Sequence, residues 1–562
     1  MPRDLAPTPT PAYGQPTQMA PAMTDSARPL PPSGAWIDAG ASAPFIALQV
    51  SGGEVRLRGQ ARALVGHRAH IPGDSRPRGL WGDWDWDGAT LRAGVDALGY
   101  FSLFYCTLGG RVQVSPSILQ LLAEGADATP DPVALAVFHR VGFFVGDDTP
   151  FKHIKVLPPG GRLIWRAGVA RIEGGAPVPR QTDLTRAQAV EAFIDGPRTA
   201  IRHFLAQWEG PIALPLSGGR DSRHILLEML HQGRKPDTCL TFHHGGRALN
   251  AEVQAARAVA ARAGVTHSIL GRPRMRLRDS VRGLLMTQLC ADEHAQMMPM
   301  HDFLSGSDFA AVDGIGGDIL TNPDDDAEAF YALARQGDFE GIARGLAAGH
   351  GRVISRAGHP GGAGAVLSPA LEGAAIDRIA QAIRHFEDAP DPYQAFWFYH
   401  RTRREISFTA TGVMGGAARV FCPYLDPDFV ELGLSLPYAV TRDQRLHDDA
   451  IFKAFPRFAD IPFASGFVSQ PLPRLRASRV TNALDTLRIA AMVGPGGALS
   501  GIRNALATTP LRRGSADILR LHGDFVARMD ATEARRLMAL SETLFKAAPR
   551  REETVTHVHH GA

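Results

Sequence analysis

Ile212-Ala213-Leu214-Pro215-Leu216-Ser217-Gly218-Gly219-Arg220-Asp221-Ser222 decides the fold. The first five residues form an apolar run of buried-strand length. Beyond Ser222, residues Ile225, Leu226, Met229 and Leu230 fall on one helical face. A strand, a glycine turn and a helix N-terminus make an anion site, because backbone N–H groups and the helix dipole point at the ligand. Gly218 and Gly219 let the backbone approach phosphate oxygens with no Cβ in the way. Ser217 and Ser222 supply hydroxyl donors. Asp221 would repel phosphate unless it holds a magnesium ion that neutralises it. A βα turn that contains glycine by chance would explain Gly-Gly alone, but not Ser, Asp and Ser around it. The Walker pattern GxxxxGK[ST] is absent at this loop, which disfavours P-loop chemistry. Arg220 and Arg223 flank the loop, either as phosphate ligands or as a solvated helix face.

Outward from the loop, strands alternate with helices, which predicts a parallel sheet with crossover helices. From about residue 370 the sequence reads as mainly helical. Upstream, a helix spans about 186–209, preceded by a linker over 174–185. Before that the chain is β-rich. Phe45–Val50 reads as a strand, and Tyr100–Tyr105 with Val112–Val114 read as a hairpin around Gly109-Gly110. Short helices are predicted at 118–122 and 131–140. Residues 1–35, rich in Pro, Ala, Thr and Ser, read as a disordered leader.

Length allows two to four domains. With 60 basic and 57 acidic residues the net charge is only +3, which argues against nucleic acid as a partner. Cys106, Cys239, Cys290 and Cys422 are far apart, with no zinc or disulfide spacing, so a cytoplasmic location is expected. No apolar run reaches the length of a membrane span, and the first residues lack a signal-peptide layout.

Ser217–Ser222 resembles the SGGxDS pyrophosphate loop of the N-type ATP pyrophosphatases, and its surroundings resemble the asparagine synthetase branch. Thr241-Phe242, Asn250, Glu252, Gly264 and His267 match that branch's next strand and helix. Asp313-Gly314-Ile315-Gly316-Gly317-Asp318 resembles its SGxGxDE segment, and Arg419-Val420 with Pro423-Tyr424-Leu425-Asp426 and Glu431 its RVPFLD…E signature. Upstream, Asp96, Gly99, Val114-Ser115 and Thr149-Pro150-Phe151 with Leu157-Pro158-Pro159-Gly160 resemble the class II glutaminase domain. The resemblance implies an α/β protein. A β-rich, degenerate glutamine amidotransferase-like domain would span 36–180, and an adenine-nucleotide α-hydrolase-like synthetase domain 186–550, with a flexible tail at 551–562. It implies ATP and Mg2+ as cofactors. Nucleotide contacts would come from Leu216, Ser217, Gly218, Gly219, Asp221, Ser222, Thr241, His243 and Gly316. Asp221 and Asp318 would hold the metal.

The sequence departs from the family at three places. Met1 is followed by Pro2 and the first cysteine is Cys106, so no N-terminal cysteine nucleophile is expected and glutamine hydrolysis is not. Ile315 stands where asparagine synthetases carry Glu and β-lactam synthetases Tyr, and cannot take a proton. Ala464-Ser465-Gly466-Phe467 matches a Lys-x-Gly-Phe segment without its lysine. The chain has five lysines. Lys453, Arg404 and Arg419 are the candidate substitutes. Asp292-Glu293-His294 lies where family members meet the acceptor substrate, so Glu293 and His294 are candidate general bases; a solvated helix end beside a core stripe, Met297–Met300, is the plainer alternative. His243-His244 could line the nucleotide pocket. Trp81, Trp84 and Trp86, alternating with aspartates, suggest an edge strand or loop. The tail histidines, His557, His559 and His560, suggest incidental metal binding.

The expected activity is ATP-dependent amide formation on a substrate carboxylate. Among glutaminase-deficient relatives it is most similar to lasso peptide macrolactam synthetases and β-lactam synthetases. That implies a peptide substrate, with a leader-peptide-binding protein and a leader protease as partners. The alternatives are an ammonia-dependent asparagine synthetase-like amidotransferase and a non-catalytic nucleotide-binding module.

Overall fold

In the first region, alternation is clearest at Arg162–Arg166, where Leu163 and Trp165 are buried between exposed arginines. The structure, a computed structural model, describes residues 43–71, 74–242, 251–270, 277–321, 327–356, 369–467, 487–488, 514–546 and 555–558. Ten strands come first: β1 (Ile46–Ser51), β2 (Glu54–Gly59), β3 (Arg62–Gly66), β4 (Trp81–Trp86), β5 (Thr90–Val95), β6 (Phe104–Leu108), β7 (Arg111–Ser115), β8 (Ile154–Val156), β9 (Arg162–Arg166) and β10 (Val169–Glu173). They form two antiparallel sheets, ordered β2-β1-β7-β6-β8 and β10-β9-β5-β4-β3. Ile46, Leu48, Val112 and Val114 pack with Trp84, Leu91, Leu163 and Trp165 in one apolar layer.

Two local expectations change. The tryptophans lie in β4, which pairs with β3 and β5 and so is not an edge strand. Tyr100–Leu103 is not strand either. The Asp96 carboxylate accepts the N–H groups of Leu98, Tyr100 and Phe101 and folds that stretch into a turn. The short helices do form, as α1 (Ile118–Ala123), capped by Ser117, and α2 (Pro132–Val141), capped by Asp131.

After the linker, Thr185 and Gln188 make a capping box that starts α3 (Arg186–Leu205). There follow β11 (Ile212–Pro215), α4 (Asp221–His231), β12 (Thr238–Phe242), α5 (Ala251–Ala263), β13 (His267–Leu270), α6 (Leu277–Met286), α7 (Met298–Leu304), β14 (Ser307–Val312) and β15 (Ala417–Phe421). Five of these strands run parallel, in the order β15-β14-β11-β12-β13. β11 and β13 are wholly buried, as a parallel sheet covered by helices requires. The chain is thus mixed α/β, with antiparallel sheets first and a parallel sheet later.

From β11 the chain steps through β12 to β13 on one side, then returns through β14 to β15 on the other. The direction reverses between β11 and β14. In open α/β sheets, ligands bind beyond the strand C-termini at such a reversal. At the far edge β16 (Val555–Val558) pairs antiparallel with β13, so this part of the expected flexible tail is strand and contains His557. The leader, His243, His244, His559 and His560 lie outside the described residues.

Among the described residues, two of the three apolar cores cross from the β region into the helices. Leu98, Tyr100, Phe143 and Val145 belong to the core of the parallel sheet. Phe104, Ile118 and Phe138 pack with Leu284, Leu519 and Leu537. No helix of the described residues is long and apolar enough to cross a membrane.

Candidate functional site

The loop between β11 and α4 is held open by its own serines. Ser222 Oγ accepts the Ser217 N–H at 3.0 Å, and Ser217 Oγ accepts the Gly219 N–H at 3.1 Å. The hydroxyls lie 3.1 Å apart. Gly218 is required by close approach: a Cβ there would sit 2.6 Å from the Ala464 Cβ and 2.8 Å from the Glu252 Cα. The Ala464 N–H donates to the Gly218 carbonyl at 2.9 Å. The segment matched to the lysine-bearing motif therefore does border the loop, with a methyl group where the resemblance implies an ammonium.

The loop after β14 wraps Asp221. The Asp318 N–H donates to Asp221 Oδ2 at 3.1 Å. A Cβ at Gly314 would meet the Asp221 Cβ at 2.6 Å, and one at Gly317 the Asp221 carboxyl carbon at 2.7 Å. Gly316 has φ of +92°, which favours glycine. Asp221 and Asp318 thus meet beyond the C-terminal ends of the adjacent strands β11 and β14. Burial pushes Asp221 up to about 7 and Asp313 to about 7. Asp318, though exposed, is pushed up to about 6 by the protein around it and by the Asp221 charge. Two hard oxygen donors of this kind could hold Mg2+.

Behind Asp221 runs a buried polar chain. Asp221 Oδ1 lies 3.3 Å from His447 Nδ1, His447 Nε2 3.0 Å from His224 Nδ1, and His224 Nε2 3.6 Å from Glu228. Arg198 grips Glu228 with two hydrogen bonds, at 2.8 and 2.9 Å. Tyr424 donates or accepts at His447 Nε2, 3.2 Å away. Burial, with the nearby Arg220 charge, lowers His447 to about 4, so it is neutral beside Asp221.

A second polar group is linked to Asp318 through the charge of Arg401. Asp292, Glu293 and Glu405 bring carboxylate oxygens within 4.8 Å of one another. Arg401 sits among them, 3.6 Å from Glu293 and 3.5 Å from Glu405, over the Trp397 ring. Its charge also reaches Asp318. Burial and Glu293 push Asp292 up to about 7, and the same causes push Glu405 well above the carboxylate range. His294 is buried with neither ring nitrogen hydrogen-bonded, and burial lowers it to about 4. Met298 and Met300 are core.

Several expected site residues have partners within the protein. Thr241 Oγ1 meets the Leu216 carbonyl and His267 Nε2, so it braces strands. Leu216 is buried. Ile315 is buried in the core. Lys453 pairs with Glu191. It lies five residues past Asp448, which pairs with Arg220, so it points about 140° around the helix from that contact. Arg404 donates to the Gly146 and Asp148 carbonyls, and Arg419 lies over Trp208. Arg223 donates to the Ile461 and Pro462 carbonyls. None of these replaces the lysine at the loop. Arg401, Glu405 and His447 are what the sequence did not single out. The i, i+4 spacing of Arg401 and Glu405 was the available signal.

No known protein-family model matches this chain, and no curated protein matches its sequence.

Proposed function

We propose that the chain is an AMP-forming, ATP-dependent carbon–nitrogen ligase of the asparagine synthetase type. The observation that carries this reading is the Asp221–Asp318 pair over a serine- and glycine-lined helix N-terminus, at the point where the parallel sheet reverses direction. A purely structural βα turn does not call for a raised Asp221 carboxyl beside a second aspartate whose N–H it accepts. Mg2+ held by Asp221 and Asp318 would neutralise the pyrophosphate of ATP.

In the first step a substrate carboxylate oxygen bonds to the α-phosphorus and pyrophosphate leaves. The N–H groups of the loop and the Ser217 and Ser222 hydroxyls stabilise the leaving charge. In the second step an amine attacks the acyl carbonyl, AMP leaves, and the amine proton passes to a carboxylate. Asp292, raised by burial to about 7, suits that role better than Ile315, with Glu405, also raised by burial, beside it. Glu293 and Arg401 would orient the two charged partners.

The resemblance favours a peptide substrate closed into a macrolactam, with a leader-binding protein and leader protease upstream. The four cysteines are all buried, with thiols raised by burial, which supports an amine carried by the substrate over ammonia released by a thiol. The methyl of Ala464 at the loop favours a second reading, a nucleotide-binding module without turnover. Product analysis separates the two. Incubation with ATP, Mg2+ and free-acid peptides should release AMP and pyrophosphate. Release of ADP would contradict adenylation, and binding of ATP without turnover would favour the second reading.

A further inference from the structure

The acidic group beside Asp318 is assembled from two separate stretches, and the same piece of the β region holds both. The first stretch is Thr287–Glu293. Gln288 and Leu289 there have φ of +54° and +60°, a left-handed pair that a leucine adopts only when its surroundings impose it. The Ser117 hydroxyl holds the Gln288 side chain at 2.9 Å, and His522 Nε2 meets the Leu289 carbonyl at 2.9 Å. One residue before Asp292, Ala291 forms a backbone bridge with Phe143. The second stretch is the π-helix Phe398–Ile406, which carries Arg401 and Glu405. A neighbouring face of it, through His400 and Arg404, is fastened to the loop after Phe143. Gly146 N–H donates to His400 Nδ1 at 2.9 Å, and Arg404 donates to the Gly146 and Asp148 carbonyls at 2.7 Å each. Phe143 also stands edge-on to Trp397, 5.6 Å between centroids, the ring under Arg401.

We infer that the segment Phe143–Asp148 of the β region is a clamp that positions the acceptor half of the site, fixing Asp292 against Arg401 and Glu405, while leaving the nucleotide half to the parallel sheet. Phe143 and Arg404 are positioning residues, since each acts through the stretch it holds. The strained Gln288–Leu289 turn and the wide turn of the π-helix are conformations that local sequence does not favour, so their shape depends on what grips them. On this view the β region is kept for assembling the amine site, with no reaction of its own. The functional part of the inference rests on the ligase reading above; the mechanical part does not.

The test uses the whole chain with Phe143→Leu, Ser117→Ala and Arg404→Lys. Hydrogen exchange of backbone amides should accelerate by about tenfold or more at 288–294 and 398–406, with 212–231 unchanged. Thermal unfolding of each variant reads general loosening, to which Ser117→Ala adds the loss of the α1 cap beside its bond to Gln288. For function, ATP–pyrophosphate exchange with the free-acid peptides should persist in the variants, while capture of the acyl group by hydroxylamine falls about tenfold and its pH profile shifts. Equal loss of exchange and capture would overturn the positioning role. Unchanged hydrogen exchange at 288–294 would overturn the clamp itself. A wild-type chain with no exchange with any acid would count against the ligase reading alone, since the hydrogen-exchange result still decides the clamp.

Discussion

Asp221 carries the account at the scale of a residue. Its carboxyl is pushed up to about 7 by burial, and Asp318 to about 6. A metal binds the deprotonated form, so protons compete with Mg2+ as pH falls through 7 and then 6. The Mg2+-dependent affinity for ATP should therefore rise roughly tenfold between pH 6 and pH 8 and level off above. Titration of a fluorescent ATP analogue at several pH values checks this, and Asp318→Asn should flatten the lower part of the curve. A flat profile in the wild type would mean that these carboxylates do not hold the metal. Ser217–Ser222 was legible in the sequence because strand, glycine turn and helix are contiguous there. His447 was not, because its contact with Asp221 spans more than two hundred residues and leaves no local pattern.

The loop facing α5 and the Ala464 turn is where elements meet. Gly218→Ala puts a Cβ 2.8 Å from the Glu252 Cα, a backbone atom that cannot swing aside. The substitution should weaken ATP binding by about tenfold or more and also lower the melting temperature, since Gly218 is buried against α5 and the Ala464 turn. Calorimetric binding together with a melting curve checks both parts. Gly219, where only the Ser217 hydroxyl lies close, at 3.2 Å, should tolerate alanine better. Strands and helices around the loop followed the apolar patterns. The misreadings came where side chains override them. Asp96 takes the N–H groups of Leu98, Tyr100 and Phe101 and so delays the start of β6. The tryptophans of β4 looked like an edge because aspartates alternate with them, yet Arg62 and Arg68 pair with Asp85 and Asp83 alongside β3.

At the scale of the whole molecule, shared cores join the β region to the helices. Phe143 and Tyr100 are buried with the parallel sheet, and Phe104 and Phe138 with helices near the end of the chain. The Arg403 guanidinium, wholly buried, donates to the Gly99 and Leu157 carbonyls across the same boundary. Separating the regions would expose these faces and strand buried donors. Calorimetry of the full chain should show one cooperative transition, and two resolved transitions would mean that the boundary is weaker than its contacts imply. The sequence marked the two regions and the linker at 174–185, but the grip of one on the other was not legible. It depends on carbonyls and apolar faces, which carry no sequence signature.

The central claim is that Asp221 and Asp318 serve adenylation. The most direct measurement is Mg2+-dependent ATP–pyrophosphate exchange by the wild type, Asp221→Ala and Asp318→Ala, with free-acid peptides and with aspartate. The account predicts exchange that needs a peptide acid and is lost in both variants. Exchange retained in either variant, or ATP binding with no exchange from any acid, would contradict it.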